Sequence, residues 1–391
     1  MTIKEKSLKK HYEWKGKIET KVKAKLKTKE DLMLAYTPGV AEACLAIESD
    51  VSLSYQLTGR GNTIAVITDG SAVLGLGDIG PEAGMPVMEG KAALFKRFGD
   101  VNVVPLCLKT KDTEEIIKTI KLLEGNFAGI NLEDIAAPRC FEIERRLVEE
   151  LDIPVFHDDQ HGTAIVVGAA LINSLRLIKK RLQDINIVIN GAGAAGIAIA
   201  KFLLHLGAKN LVLVDRNGII SRDESQSNTA KEEIALLTNH HLSKGLLVDA
   251  IKGADVFIGV SAPNVLTKEM VKSMAKNPVV FPLANPVPEI DPKLAKQAGA
   301  IIVGTGSNQY PNQINNALVF PGLFKGALEA GATKITIEMM ASASEAIAHY
   351  ITDEKLTYDY IVPSVLNEEV HQKVSESVKN TAIKQGIIRK Q

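Results

Sequence analysis

The sequence predicts an α/β protein of two domains. An irregular N-terminal α/β domain is expected over residues 1–157, and a Rossmann-like, doubly wound parallel sheet with extra C-terminal helices over residues 158–391. Three observations predict this. A chain of 391 residues with 46% apolar content is too long for one compact core and can bury a core in each of two units. Near residue 160 the rhythm changes from short apolar runs on an irregular plan to a regular alternation of strand and helix patterns. Finally, the buried-strand pattern of residues 184–190 opens directly into Gly191-Ala192-Gly193-Ala194-Ala195-Gly196 and a helical pattern.

The elements follow in order. Lysines crowd residues 4–29, interleaved with Glu5, Glu13 and Glu19, which is the pattern of a solvated helical face rather than of a polybasic arm. Runs 63–68, 101–108, 128–132 and 153–156 read as strands, and 113–123 as a helix. Residues 70–81 carry too much glycine for a helix and predict a loop near the ligand. After a helix over 163–177, runs 185–189, 211–214, 256–260, 279–282 and 301–303 read as buried strands, with helices starting near Ala194, Thr229, Thr267, Pro292 and Gln313. Right-handed crossovers then make the sheet parallel. Two further helical patterns, 336–351 and 368–383, close the chain.

Formal charge is zero, so no overall field draws the chain to nucleic acid or to an anionic membrane. No run approaches the roughly 18 uninterrupted apolar residues of a membrane span, and the first residues lack a signal peptide's apolar region. A cytoplasmic protein without membrane or nucleic-acid partners is expected. Cys44, Cys107 and Cys140 show no metal-binding spacing and are expected as reduced, buried thiols.

The three glycines of the turn play different parts. Gly191 permits the tight turn, Gly193 lets the backbone approach a pyrophosphate, and Gly196 lets helix pack on sheet. The pyrophosphate would cap the helix N-terminus at Ala192, Ala194 and Ala195. Asp215, nineteen residues after Gly196, ends the next apolar run, where an acid accepts hydrogen bonds from the adenosine ribose. That points to NAD, because a 2′-phosphate would be repelled; Arg216 next to it could pair with that phosphate and keeps NADP open. Ser261, in Ser261-Ala262-Pro263-Asn264 after the 256–260 strand, is expected to line the nicotinamide half of the site.

Two acidic clusters precede this turn, Asn131-Leu132-Glu133-Asp134 and Phe156-His157-Asp158-Asp159-Gln160-His161. Each follows a strand. One such pair could merely cap a helix, but two after parallel-looking strands point to a shared cation, and oxygen ligands suit magnesium or manganese. His157 and His161, four apart, could hold zinc only with further nitrogen or sulfur ligands, and no cysteine is near.

Taken together with Tyr36-Thr37-Pro38-Gly39-Val40, Thr68-Asp69-Gly70 with Leu74-Gly75-Leu76-Gly77-Asp78, Glu89-Gly90-Lys91 and Tyr310-Pro311-Asn312-Gln313-Ile314-Asn315-Asn316, these motifs resemble, in order and over nearly the whole chain, those of malic enzymes. The length looks like the short bacterial form. The resemblance implies oxidative decarboxylation of L-malate to pyruvate and carbon dioxide with NAD or NADP and Mg2+ or Mn2+, by a homodimer. It implies Lys91 as base, Tyr36 as the acid that protonates the enolate, Glu133, Asp134 and Asp159 as metal ligands, and Asp158 beside them orienting ligands or base. Asn285, in Ala284-Asn285-Pro286, and Asn316 match amides that hold substrate. Two departures stand out. Ser71-Ala72-Val73 lacks the arginine that longer malic enzymes use to grip a substrate carboxylate, for which Arg60 is the candidate replacement. Gly306-Ser307-Asn308-Gln309 stands where the family often has Gly-Arg-Ser-Asp. The alternatives are a malolactic enzyme, which returns the hydride and releases lactate, and a binding or regulatory protein with a decayed site.

Overall fold

The architecture is that of a computed structural model, which describes residues 1–73 and 75–389. The first sheet is built from β1 (Thr63–Thr68), β2 (Asn102–Cys107), β3 (Gly129–Leu132) and β4 (Val155–His157), ordered β2-β1-β3-β4 and wholly parallel. Register fixes what lies at its carboxyl edge. Ile67 pairs with Leu132, and Leu132 with His157, so Thr68, Glu133 and Asp158 emerge side by side as the strands end.

The second sheet contains β5 (Asn186–Asn190), β6 (Asn210–Asp215), β7 (Gly218–Ile219), β8 (Val256–Gly259), β9 (Val279–Pro282) and β10 (Ile302–Val303), ordered β10-β9-β8-β5-β6-β7. All pairings are parallel except the short β6–β7 hairpin, a departure from the expected all-parallel sheet. Strand order reverses at β5, which lies between β6 and β8, so the ligand crevice of an open α/β sheet falls at the carboxyl end of β5.

The helix Thr163–Ile178 joins the two halves. With the π-helical turn Asp158–Gly162 ahead of it, this segment is long and apolar enough to cross a membrane by length and composition, although polar residues interrupt it. It is instead a core helix: Ala164, Ile165, Val167 and Leu171 are buried in one cluster that runs from Ile64 and Val66 of β1 to Ile187 and Ile189 of β5. The two sheets share this core on one face, while each keeps a cluster of its own on the other, around Ile67, Ile130 and Leu147 in the first and Val188, Phe257 and Val280 in the second.

Several expectations are corrected. The 4–29 segment is not one helix: Ile3–Trp14 carries a Thr2/Glu5 capping box, then Lys15 (φ 53°) and Gly16 (φ 118°) turn left-handed and stop it. Helix resumes only at Lys29–Ala35. None of residues 1–53 is buried. No helix starts at Gln313: Asn312 before it is left-handed (φ 57°), its amide donating to the carbonyls of Val303 and Tyr358 and accepting from the Ile361 N–H, and Gln313 itself makes a parallel bridge to Thr305. Helix begins instead at Phe320–Ala330, after a 3-10 turn at Asn316–Leu318. Of the cysteines only Cys140 is buried, its thiol pushed up to about 12 by burial and by Glu144; Cys107 is half-buried and Cys44 exposed. The 70–81 loop forms as expected, while Leu74 within it lies outside the described residues.

Candidate active site

Lys91 lies midway along the helix Pro81–Gly99, whose start follows the glycine loop after β1. Its ammonium stands 2.9 Å from Glu133 Oε1 and donates to Asp158 Oδ2, with only 11% of the side chain exposed. The ring of Phe320 lies 4.4 Å beneath it. Burial draws its pKa down, but Asp158, Glu133 and Asp159 outweigh burial and hold the amine protonated well above its ordinary value. The carboxylates alone therefore favour the ammonium form, and the base that the resemblance implies needs a cation drawing on the same oxygens to lose that proton.

Glu133 and Asp134 turn off the end of β3, both nearly fully buried. Asp134 takes a left-handed conformation (φ 53°), which an aspartate tolerates better than most side chains. Its N–H donates to Asp159 Oδ2 at 2.7 Å, and its carbonyl accepts from the Ala72 N–H at 3.0 Å. The corner therefore knits the ends of β1, β3 and β4 together. Glu133, Asp134 and Asp159 each present an oxygen within 4.8 Å of the others. Burial first, then repulsion from Asp159, Asp158 and Asp134, pushes the Glu133 carboxyl well up against the pull of Lys91, and burial likewise raises Asp158. Asp158 Oδ1 is buried with no hydrogen-bond partner. Converging hard oxygens, crowded and under-neutralised, are what a divalent cation relieves, so these residues fit one.

The histidine pair does not make a zinc site. His161 Nε2 is committed to Glu144 at 2.9 Å, and Glu144 also accepts from the His157 N–H at 2.8 Å. Glu144 was missed in the sequence, yet a signal existed: it lies on the buried stripe of its helix with Cys140, Ile143 and Leu147. Arg139 was missed too. It donates through Nε (3.1 Å) and Nη2 (2.6 Å) to Asp69, which also accepts from the Ser71 N–H and hydroxyl. Ser71 Oγ in turn accepts from the Ala136 N–H at 3.0 Å, clamping the glycine loop to the carboxylate corner.

Arg60 cannot serve as the substrate arginine. It precedes β1, at the opposite edge of the sheet, with its guanidinium bonded to Ser54 Oγ and the Phe127 and Glu124 carbonyls and stacked 4.1 Å over Tyr55. A sequence of isolated motifs does not say which end of a strand a residue occupies; the register does. Tyr36 ends the Lys29–Ala35 helix and is 67% exposed, with no side-chain hydrogen bond to Lys91 or the carboxylates among the described residues. Asn316 does join the site: its Cβ borders Gly162, in the turn that carries Asp158 and Asp159.

The dinucleotide turn is shaped as its glycines predict. A Cβ on Gly191 (φ 121°) would lie 2.4 Å from the Val260 carbonyl, and one on Gly196 1.7 Å from that of Gly191. Above Gly193 there is open space, and the helix Ala194–His205 begins with no side-chain cap, leaving its first N–H groups directed at that space. The cradle fits a pyrophosphate. Asp215 ends β6 as expected, but its carboxylate is paired with Lys231 at 2.5 Å, and Arg216 is exposed beside it. Ser261 accepts from Asn190 Nδ2 at 2.7 Å, across the β5–β8 crevice. Asn285, after β9, is packed between Gly75 and Gly306, neither of which leaves room for a side chain.

Residues 15–148 match the malic enzyme N-terminal domain family, and residues 160–383 the malic enzyme NAD-binding domain family. The NAD-dependent malic enzyme of Geobacillus stearothermophilus is 56% identical over 375 residues, which cover 96% of this chain and 78% of that protein. The bifunctional malic/malolactic enzyme of Bacillus subtilis (strain 168) is 51% identical over 390 residues, covering 100% and 95%. Among solved structures, the NAD-dependent malic enzyme of Thermotoga maritima superposes with a TM-score of 0.92 at 51% identity, covering 95% of this chain and 98% of that one. The malic enzyme of Pyrococcus horikoshii Ot3 gives 0.95 at 44% identity, covering 100% and 93%. With both halves of the chain and the ends of both sheets accounted for, the protein belongs to the malic enzyme family and is an NAD(P)-dependent, decarboxylating oxidoreductase.

Proposed function

We propose that the chain oxidises L-malate to pyruvate and carbon dioxide, with Glu133, Asp134 and Asp159 holding Mg2+ or Mn2+ and NAD as the working cofactor. The observation that carries this is the set of three carboxylate oxygens within 4.8 Å of one another beside Lys91. A divalent cation bound there supplies Lewis-acid polarisation of the malate C2 oxygen and C1 carboxylate. NAD seated on Gly191–Gly196 supplies the hydride acceptor.

Lys91 takes the C2 hydroxyl proton as the hydride leaves, which requires the amine to lose its own proton first. Asp158, bonded to Nζ and raised by burial, is the neighbouring acceptor of that proton. The product is a β-keto acid whose C4 carboxylate departs as carbon dioxide. Tyr36 then protonates C3 of the enolate. Asn316, beside the Asp158–Gly162 turn, and Asn285, between Gly75 and Gly306, hold the substrate, and Asn285 and Ser261 flank the nicotinamide half. Glu144 fixes the Asp158–Gly162 turn through His157 and His161. Asp215 favours NAD, and Lys231 and Arg216 are the cations a 2′-phosphate would use, so both cofactors belong in the test.

A homodimer completes the reading. Leu32, Met33, Leu34, Tyr36, Val40 and Leu45 form an apolar surface exposed around Tyr36, which a second copy would bury.

The malolactic reading is favoured by one finding, the bifunctional name of the Bacillus subtilis relative. Purified protein with L-malate and Mn2+ is followed for reduced cofactor with NAD and then NADP, while pyruvate and lactate are quantified. Pyruvate matched mole for mole by NADH supports malate oxidation; lactate without net NADH overturns it in favour of the malolactic reaction.

A further inference from the structure

Glu289 is fully buried, and its hydrogen-bond partners are neutral. Oε1 accepts from the Ser261 N–H at 2.8 Å and from the Ser261 hydroxyl at 3.4 Å, while Oε2 accepts from the Ala284 N–H at 3.1 Å. The loops after β8 and β9 also run together along their backbones: the Asn264 N–H donates to the Pro288 carbonyl and the Leu266 N–H to that of Glu289. Gly259, the last residue of β8, leaves the space the carboxylate needs, since a Cβ there would lie 2.4 Å from Glu289 Cδ.

Burying an acid without a cation is costly, and a chain that needed only a tie between two loops could use an amide. An amide, however, offers acceptance at one end only. Both ends of Glu289 accept, one from each loop, so only a carboxylate satisfies the two together. The residues it holds are the ones that matter at this edge. Ser261 also reaches Asn190 at the end of β5, and Ala284 precedes Asn285, whose backbone and amide are packed against Gly75 and Gly306.

We infer that Glu289 is a positioning residue that sets Ser261 and Asn285 on the two sides of the nicotinamide and substrate pocket by accepting one backbone N–H from each loop. This rests on the assignment of Ser261 and Asn285 to that pocket. The adenosine half, seated on Gly191–Gly196 and Asp215, has no hydrogen bond to Glu289 among the described residues and is not set by it.

The test compares two probes, NADH and ADP, binding to the whole protein. In Glu289→Gln, one amide end must face an N–H, so NADH affinity falls about tenfold while ADP affinity stays within about twofold. Malate turnover at saturating cofactor falls further than the change in KM for malate. Gly259→Ala, which displaces the carboxylate from the other side, reproduces the split and serves where Glu289→Gln does not fold. Equal loss of NADH and ADP affinity, or parent-like NADH binding in Gly259→Ala, overturns the inference. Because binding is read apart from turnover, a protein that splits NADH from ADP as described yet leaves malate unchanged would sink the substrate reading alone.

Discussion

Lys91 Nζ and Glu133 Oε1 stand 2.9 Å apart, although the first comes from the middle of a helix and the second from a strand end 42 residues later. The proposed base is thus held by a proposed metal ligand, so proton transfer and cation binding share one set of charges. Removing the amine should stop oxidation and spare the later step. Lys91→Ala is expected to lower malate oxidation by about 10²–10⁴ while impairing decarboxylation of supplied oxaloacetate less than Asp159→Ala does. Equal losses in both assays would defeat the division of roles.

Metal binding should stabilise the fold, because it neutralises carboxylates already buried together. Mn2+ at about 100 times its Kd adds about 2.7 kcal/mol of stability, read as a rise in melting temperature without substrate or cofactor. Asp159→Ala should remove most of that rise. A parent protein whose melting point ignores Mn2+ would argue against the site.

Gly193 and Gly196 sit three residues apart and should behave oppositely. Gly193 has a negative φ (−92°) and open space around its missing Cβ, so Gly193→Ala should keep the parent melting temperature and raise the KM for NAD. Gly196→Ala would drive a methyl to 1.7 Å from the Gly191 carbonyl and should cost about 1–3 kcal/mol or more of stability. Unfolding midpoints paired with cofactor titrations separate the two.

The exposed apolar surface around Tyr36 predicts association. Leu34, 70% exposed, is the residue to charge: Leu34→Glu should shift the protein towards monomer in light scattering and reduce turnover at the same time. A parent that is monomeric at assay concentration contradicts the homodimer.

His371 predicts a pH dependence of stability. Burial lowers its pKa below the ordinary 6.5, its Nε2 is bonded to the Val365 carbonyl at 2.8 Å, and its ring stacks 4.6 Å from that of Phe98, with Glu368 on the same helix. Below 6.5 the unfolded chain binds a proton that the folded one refuses, so the stability His371 contributes is complete above 6.5 and lost as pH falls through its lowered native value. His371→Gln should flatten the fall in denaturation midpoint between neutral pH and that value. An unchanged slope would exclude His371 as its source.

Much of this was legible in the chain. Periodicity located β1, the Thr113–Leu123 helix and the start of Thr163–Ile178, because apolar spacing reports which face of an element is buried. Charge type and strand-end position picked out the pairs Glu133/Asp134 and Asp158/Asp159, the resemblance to malic enzymes narrowed them to Glu133, Asp134 and Asp159, and glycine spacing marked the dinucleotide turn. Arg60 misled, because its neighbours in sequence are loop residues whichever edge of the sheet they occupy. Glu289, Glu144 and Arg139 went unnoticed, since each acts on backbone N–H groups or carboxylates far along the chain.

The sequence by itself determined the fold class, the two ligand-binding strand ends and the kinds of atom they offer, because these follow from local pattern and side-chain chemistry. Only the tertiary structure decided that β1, β3 and β4 end level, that the Lys91 amine lies buried between Glu133 and Asp158, and that Tyr36 stands apart in the single chain. Strand register and burial arise from contacts between distant segments, and those contacts fix distance, dielectric and charge state, which no single stretch of residues encodes.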